Sequence, residues 1–212
     1  MFFGSLHNMK SVTAAEAAAL AAWRILAAGD RVGGIVFDDR EMIEVKPQRS
    51  RRAVHGFLSK IVEKNQALRA DAPSVAEPLP MNEPLEAAAR LAGHDHLIIV
   101  ISDFDRIDED THRLVTRMTK HNDVVLILVH DPMSRDINIG SKLVVSDGHL
   151  QIEIDGNNKR IVEAISKFAE SRLDQILNWQ NKLGISVLPL NTGEPTAAQV
   201  AKLLGGGARR AR

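Results

Sequence analysis

His96-Leu97-Ile98-Ile99-Val100-Ile101-Ser102 decides the fold. Five apolar residues stand side by side with no polar alternation, the pattern of a strand covered on both faces. Ser102-Asp103-Phe104-Asp105 follows at once, then residues 108–120 read as a helix, and 123–129 repeat the buried-strand pattern. A strand, a helix and a second buried strand in that order imply a parallel pair with a crossover.

Working outward, residues 11–28 read as a helix. Thr13 and Glu16 have the spacing of a capping box, the Ala-rich run favours helix, and Gly29 stands where a left-handed C-terminal residue belongs. The small side chains of this helix suit close packing on a sheet. Residues 31–37 read as a buried strand and 41–46 as a shorter one of mixed polarity. The polar, hairpin-sized link Asp38-Asp39-Arg40 makes the second an antiparallel edge. Residues 51–66 form a helix with Val54, Phe57, Leu58, Ile61 and Val62 on one face. Residues 71–80 carry three prolines and no period, hence a surface connection, and 83–91 a short helix.

Toward the C-terminus, 142–146 and 150–154 flank Asp147-Gly148, a hairpin turn signal. Residues 157–183 read as a long amphipathic helix ended by Gly184, and 185–190 as a last strand. Pro195 opens a final helix, and 205–212 is a disordered, glycine-rich basic tail. The expected architecture is α/β: one domain over residues 1–204, with a mostly parallel sheet, an antiparallel edge hairpin and helices on both faces. Ligands of such sheets bind beyond the carboxyl ends of the strands.

Composition narrows the function. Lys+Arg and Asp+Glu both total 27, and this neutral balance argues against a general nucleic-acid binder. With no Cys there is no disulfide, thiol nucleophile or Cys-ligated metal. The apolar runs are too short to span a bilayer, and Met1-Phe2-Phe3-Gly4 does not start a signal peptide, so a cytoplasmic protein is expected. Aromatic residues make up 4% of the chain and Tyr is absent, against base-stacking platforms.

At the strand ends, Ser102 and Asp103 could orient a divalent cation through oxygen, and the simpler reading is that Asp105 or Asp108 caps the next helix. Asp131-Pro132 reads as a turn opener. Asp103 and Asp105 together resemble the paired aspartates of phosphoryl-transfer enzymes, without the expected placement on a first strand and without supporting cations. This gives the alternative function, a metal-dependent phosphohydrolase. His94 and His96 flank Asp95 in a solvated loop. No Ser-His-Asp order, phosphate-binding glycine loop or zinc motif is present.

With these segments placed, the chain resembles the bacterial domain-of-unknown-function fifty-eight family, whose domain is von Willebrand factor A-like. The stretches that carry the likeness are Met1-Phe2-Phe3-Gly4 with Lys10-Ser11, Ala27-Ala28-Gly29-Asp30-Arg31-Val32-Gly33, Phe37-Asp38-Asp39, Ile101-Ser102-Asp103-Phe104, His121-Asn122-Asp123-Val124 and His130-Asp131-Pro132. The resemblance implies an open sheet with a metal-ion-dependent adhesion site at its top. It places Asp103 at the metal-ligating Asp of the third loop. The second loop's Thr falls near Asn82. The first loop, and the central strand that carries it, would lie before Phe2, so that strand is expected to be missing and the chain to begin at an internal Met. The cation site is then incomplete, holding Mg²⁺ weakly or not at all. Exposed strand edges could support self-association. The resemblance further implies a non-catalytic module partnering a MoxR-type AAA+ ATPase and its client protein, with Ser5, Asn82, Ser102 and Asp105 around Asp103 as the binding face, and no nucleic-acid or membrane partner.

Overall fold

In a computed structural model, residues 1, 4, 7–69, 75–132, 142–146, 151–155 and 159–205 are described. The elements run α1 (Lys10–Ala27), β1 (Val32–Phe37), β2 (Met42–Gln48), α2 (Arg51–Gln66), α3 (Asn82–Leu91), β3 (Leu97–Ser102), α4 (Glu109–Thr119), β4 (Asp123–His130), β5 (Lys142–Ser146), β6 (Gln151–Asp155), α5 (Lys159–Leu183), β7 (Ser186–Asn191) and α6 (Thr196–Gly205).

The centre is a parallel sheet in the order β3-β4-β7, in which Leu97 pairs with Asp123 and Val125 with Ser186. Side chains of successive strand residues point to opposite faces, and the continuous apolar runs of β3 and β4 therefore feed two cores at once. Ile98, Val100, Val124, Leu126 and Leu128 meet Leu85 of α3, Leu114, Val115 and Met118 of α4, and Leu173, Ile176 and Trp179 of α5. Ile99, Ile101, Ile127, Val129 and Leu190 meet Ala14 and Ala17 of α1, with Val200 and Leu203 of α6. The Ala-rich face of α1 is what lets that helix lie close against the strands.

β1 and β2 form an antiparallel hairpin, with Phe37 opposite Met42. Asp38 closes its turn by accepting hydrogen bonds from the amides of Arg40 and Glu41. Lys64 of α2 then donates to Asp38 at 2.6 Å and to Glu41 at 2.7 Å, which ties that helix to the hairpin. Burial alone would raise the Asp38 pKa; Lys64 and the two amides outweigh it and hold the carboxyl below its ordinary value. Gly34 is needed where α2 crosses β1, because a Cβ there would stand 2.5 Å from the Phe57 ring. Gly29 ends α1 at φ +92°, in the left-handed region, as expected.

Several expectations need correction. The hairpin is not an edge of the main sheet: among the described residues no hydrogen-bonded ladder joins β1 to β3. β5 and β6 form a third, separate antiparallel pair. The Thr13–Glu16 capping box does not form. α1 starts at Lys10, one residue before the expected start, Met9 stands at its N-cap without a side-chain cap, and Thr13 is a buried residue of the helix. Glu16 instead accepts from Asn8 and from Thr196. Val62 is about half exposed rather than part of the α2 core face. Asp147-Gly148 and residues 206–212 lie outside the described residues.

Candidate functional site

The carboxyl ends of β3, β4 and β7 bring together a row of polar groups that the cores below exclude from solvent. Ser102 and Asp103 end β3, Asp131 follows β4, and Thr192 follows β7; all four are buried. Alternation along β3 continues past its end. Asp103, two residues after Ile101, turns to the α1 face, while Phe104 joins the opposite core. Phe104 is fully buried at φ +49°. A bulky residue in the left-handed region is strained, and here the core contacts of its ring and the hydrogen bond from its amide to Ser102 Oγ (3.1 Å) hold it there.

The loop so formed is gripped from both faces of the sheet. From α1, Lys10 Nζ donates to Asp103 Oδ2 at 3.2 Å, and the Met1 amine stands 3.3 Å from the same oxygen. From α5, Arg172 pairs with Asp105 at 2.5 Å and reaches the Asp103 carbonyl. Burial pushes the Asp103 pKa up, yet the positive charges of the Met1 amine and Lys10 prevail and hold it below its ordinary value. The expectation that Asp103 and Asp105 lack supporting cations is therefore wrong: Asp103 has Lys10 and the Met1 amine, and Asp105 has Arg172, all far away in sequence.

The neighbouring loop belongs to α4. Asp108 is its N-cap, accepting from the Thr111 amide at 2.8 Å while the Thr111 hydroxyl accepts from the Asp108 amide. This confirms the capping reading for Asp108 and not for Asp105. Asn82 completes the knot by donating to the Asp108 carboxylate and accepting from the Thr111 hydroxyl at 2.8 Å. The Thr111 amide and then the Asn82 amide hold the Asp108 carboxyl below its ordinary pKa. Ser5 lies outside the described residues.

A Mg²⁺ ion at Asp103 does not fit these partners. The ion binds oxygen at roughly 2.0–2.1 Å and strips its water reluctantly; on Asp103 Oδ2 it would meet the Lys10 ammonium. The Asn82 carbonyl is spent on Thr111, and Asp105 on Arg172. Among the described residues no three His, Cys, Asp or Glu side chains converge as a metal cluster.

Ser102 and Asp103, expected on the binding face, are themselves too buried to meet a partner broadly; Asp105, Asp108 and Glu109 are exposed around them. Asp131 is more than a turn opener. Fully buried, it accepts a 2.5 Å hydrogen bond from Thr192 and so ties β4 to β7. Nothing local in the sequence marks Lys10, Arg172 or Thr192 as site residues. His94 and His96 lie in the exposed loop before β3, as expected; His94 Nδ1 is 2.7 Å from Asp95.

No helix among the described residues is long and apolar enough to cross a membrane. Residues 1–173 match the family described as Protein of unknown function DUF58. None of the curated proteins matches the chain. A conserved hypothetical protein BatB from Bacteroides thetaiotaomicron overlaps it at a TM-score of 0.47 and 16% identity, over 92% of this chain and 88% of that one. An uncharacterized membrane spanning protein from Vibrio fischeri overlaps at 0.24 and 11%, over 93% and 85%. Neither overlap is close enough to decide anything about this chain.

Proposed function

This chain belongs to the DUF58 family, and from that premise and the geometry above we propose that it is a non-catalytic, von Willebrand A-like interaction module of the cytoplasm. Its partner is a MoxR-type AAA+ ATPase, acting with a client protein, as the resemblance implies. The binding face is the carboxyl edge of the parallel sheet, where exposed Asp105 and Asp108 stand over buried Asp103. One observation carries this reading: three carboxylates of that edge, Asp103, Asp105 and Asp108, are committed to fixing the loop. Asp103 is tied to Lys10, Asp105 to Arg172 and Asp108 to the α4 amides. Such carboxylates hold a surface in one shape, which favours recognition by lowering the ordering cost of association.

Among the described residues no strand pairs with the second side of β1 or of β3, so self-association through these edges belongs to the same proposal. The phosphohydrolase alternative has one observation in its favour, the Lys10 ammonium beside Asp103 and the Ser102 hydroxyl one residue away. Against it, Asp103 is buried and Asp105 is drawn off by Arg172, so neither is presented as a nucleophile with a free base beside it.

Titrating the chain into a purified MoxR-type ATPase tests the proposal. Saturable binding is expected, weakened about tenfold or more by Asp105→Arg, a loss of ~1.4 kcal/mol or more, with no hydrolysis of p-nitrophenyl phosphate. Absence of binding refutes the partnership. Phosphatase turnover that disappears in Asp103→Asn establishes the alternative.

A further inference from the structure

Lys10 opens α1, and its side chain runs to the carboxyl edge of the sheet, where its ammonium meets a carboxylate 93 residues away in sequence. Both side chains are largely buried, 17% and 10% exposed. A buried carboxylate is costly unless paired and hydrogen-bonded, and Asp103 is paired. The same α1 turn also places Thr13, three residues on, in the interior. The opposite side of the loop is held by Arg172, and at Asp103 the Lys10 ammonium is the part of the grip that α1 supplies, beside the Met1 amine at 3.3 Å.

We propose that Lys10 is a built-in cation that takes the place of a divalent metal at Asp103, so that the 102–105 loop keeps its shape without Mg²⁺. The disagreement between the adhesion-type site that the resemblance implies and the ligands present is then resolved within the chain: a covalently tethered ammonium neutralises the acid. Lys10 acts as a positioning residue, setting Asp103 and through it the backbone that carries Phe104 and Asp105. An ammonium on a four-carbon stem suits this role, since it is a compact charge with three donors. The inference deepens the site reading above but needs no partner to test it, and so can fail while that reading stands.

The experiment is a double-mutant cycle on the intact chain, read by urea unfolding, with Lys10→Met, Asp103→Asn and the pair, together with Mg²⁺ and Mn²⁺ titrations of the wild type. Removing Lys10 from this buried cluster leaves Asp103 with the Met1 amine alone, at 3.3 Å from the same oxygen. Because the Met1 amine stays beside Asp103, the loss is partial, and Lys10→Met is expected to lower the folding equilibrium constant by about tenfold to a hundredfold. Asp103→Asn should recover much of that loss, and Lys10→Arg should retain most of the stability. The wild type should show no saturable Mg²⁺ or Mn²⁺ effect on its unfolding midpoint at millimolar concentrations. Additive effects of Lys10→Met and Asp103→Asn would overturn the proposal, as would stabilisation of the wild type by Mg²⁺ that Asp103→Asn abolishes. If Lys10→Met does not fold, the metal titration of the wild type and of Asp103→Asn still decides.

Discussion

Replacing Phe104 separates the two forces that shape the 102–105 loop. The ring is fully buried in the core shared by β3, α4 and α5, so Phe104→Ala should cost about 3–5 kcal/mol through lost burial and the cavity left behind. The backbone at φ +49° adds a second, sign-bearing test. In a helix or strand interior Gly is less stable than Ala by roughly 0.5–1 kcal/mol, because it loses more freedom on folding. In the left-handed region an L side chain is penalised by roughly 1–2 kcal/mol and Gly is not. Subtracting the entropy of Gly leaves Phe104→Gly as stable as Phe104→Ala or up to about 1.5 kcal/mol more so. Urea unfolding followed by circular dichroism reads both differences. A Phe104→Ala cost below about 1 kcal/mol would refute the buried anchor. Phe104→Gly clearly less stable than Phe104→Ala would refute the strained backbone.

Three further outcomes follow from the same geometry. The lowered Asp103 pKa means that its charged form stabilises the fold above the ordinary carboxylate value and that this contribution disappears as pH falls through the native value; Asp103→Asn should flatten that acid limb in a pH series of unfolding midpoints, and an unchanged limb would count against the pairing. Thr192→Val leaves buried Asp131 without its hydroxyl partner and should cost about 1–3 kcal/mol in thermal unfolding, whereas a neutral result would show that the β4–β7 tie does not matter. If the β1 and β3 edges pair between molecules, sedimentation should show a concentration-dependent dimer that a Pro placed at Ile99 or Ile35 weakens; a monomer at all concentrations rules this out.

How far the sequence could be read depends on how local the information is. β3 and β4 were legible because burial on both faces leaves unbroken apolar runs, and α2 because its apolar residues recur at helical spacing; the Ser50 cap that starts α2 went unread. The capping box at Thr13 misled because the start of α1 is set by distant partners: Lys10 is drawn to Asp103, and Glu16 to Asn8 and Thr196. Val62 has the right spacing for the α2 core, but the hairpin beneath that helix covers only part of its face. Asp103 stood out because it ends the strongest strand. Its counter-ion did not, because a single Lys at the head of an Ala-rich helix carries no period that points 93 residues downstream. The separation of the hairpin from the parallel sheet is likewise a matter of pairing between strands, to which periodicity within each strand is blind.

The central claim is that the carboxyl edge of β3 is the recognition face for an AAA+ partner. Amide hydrogen exchange of the chain, alone and saturated with a MoxR-type ATPase, measures it most directly. Slower exchange is predicted at 104–112 and around Asn82, with the opposite end of β3, at 93–97, unchanged. Protection confined to 93–97 or to the α2 surface, with 104–112 exchanging as in the free chain, would contradict the account.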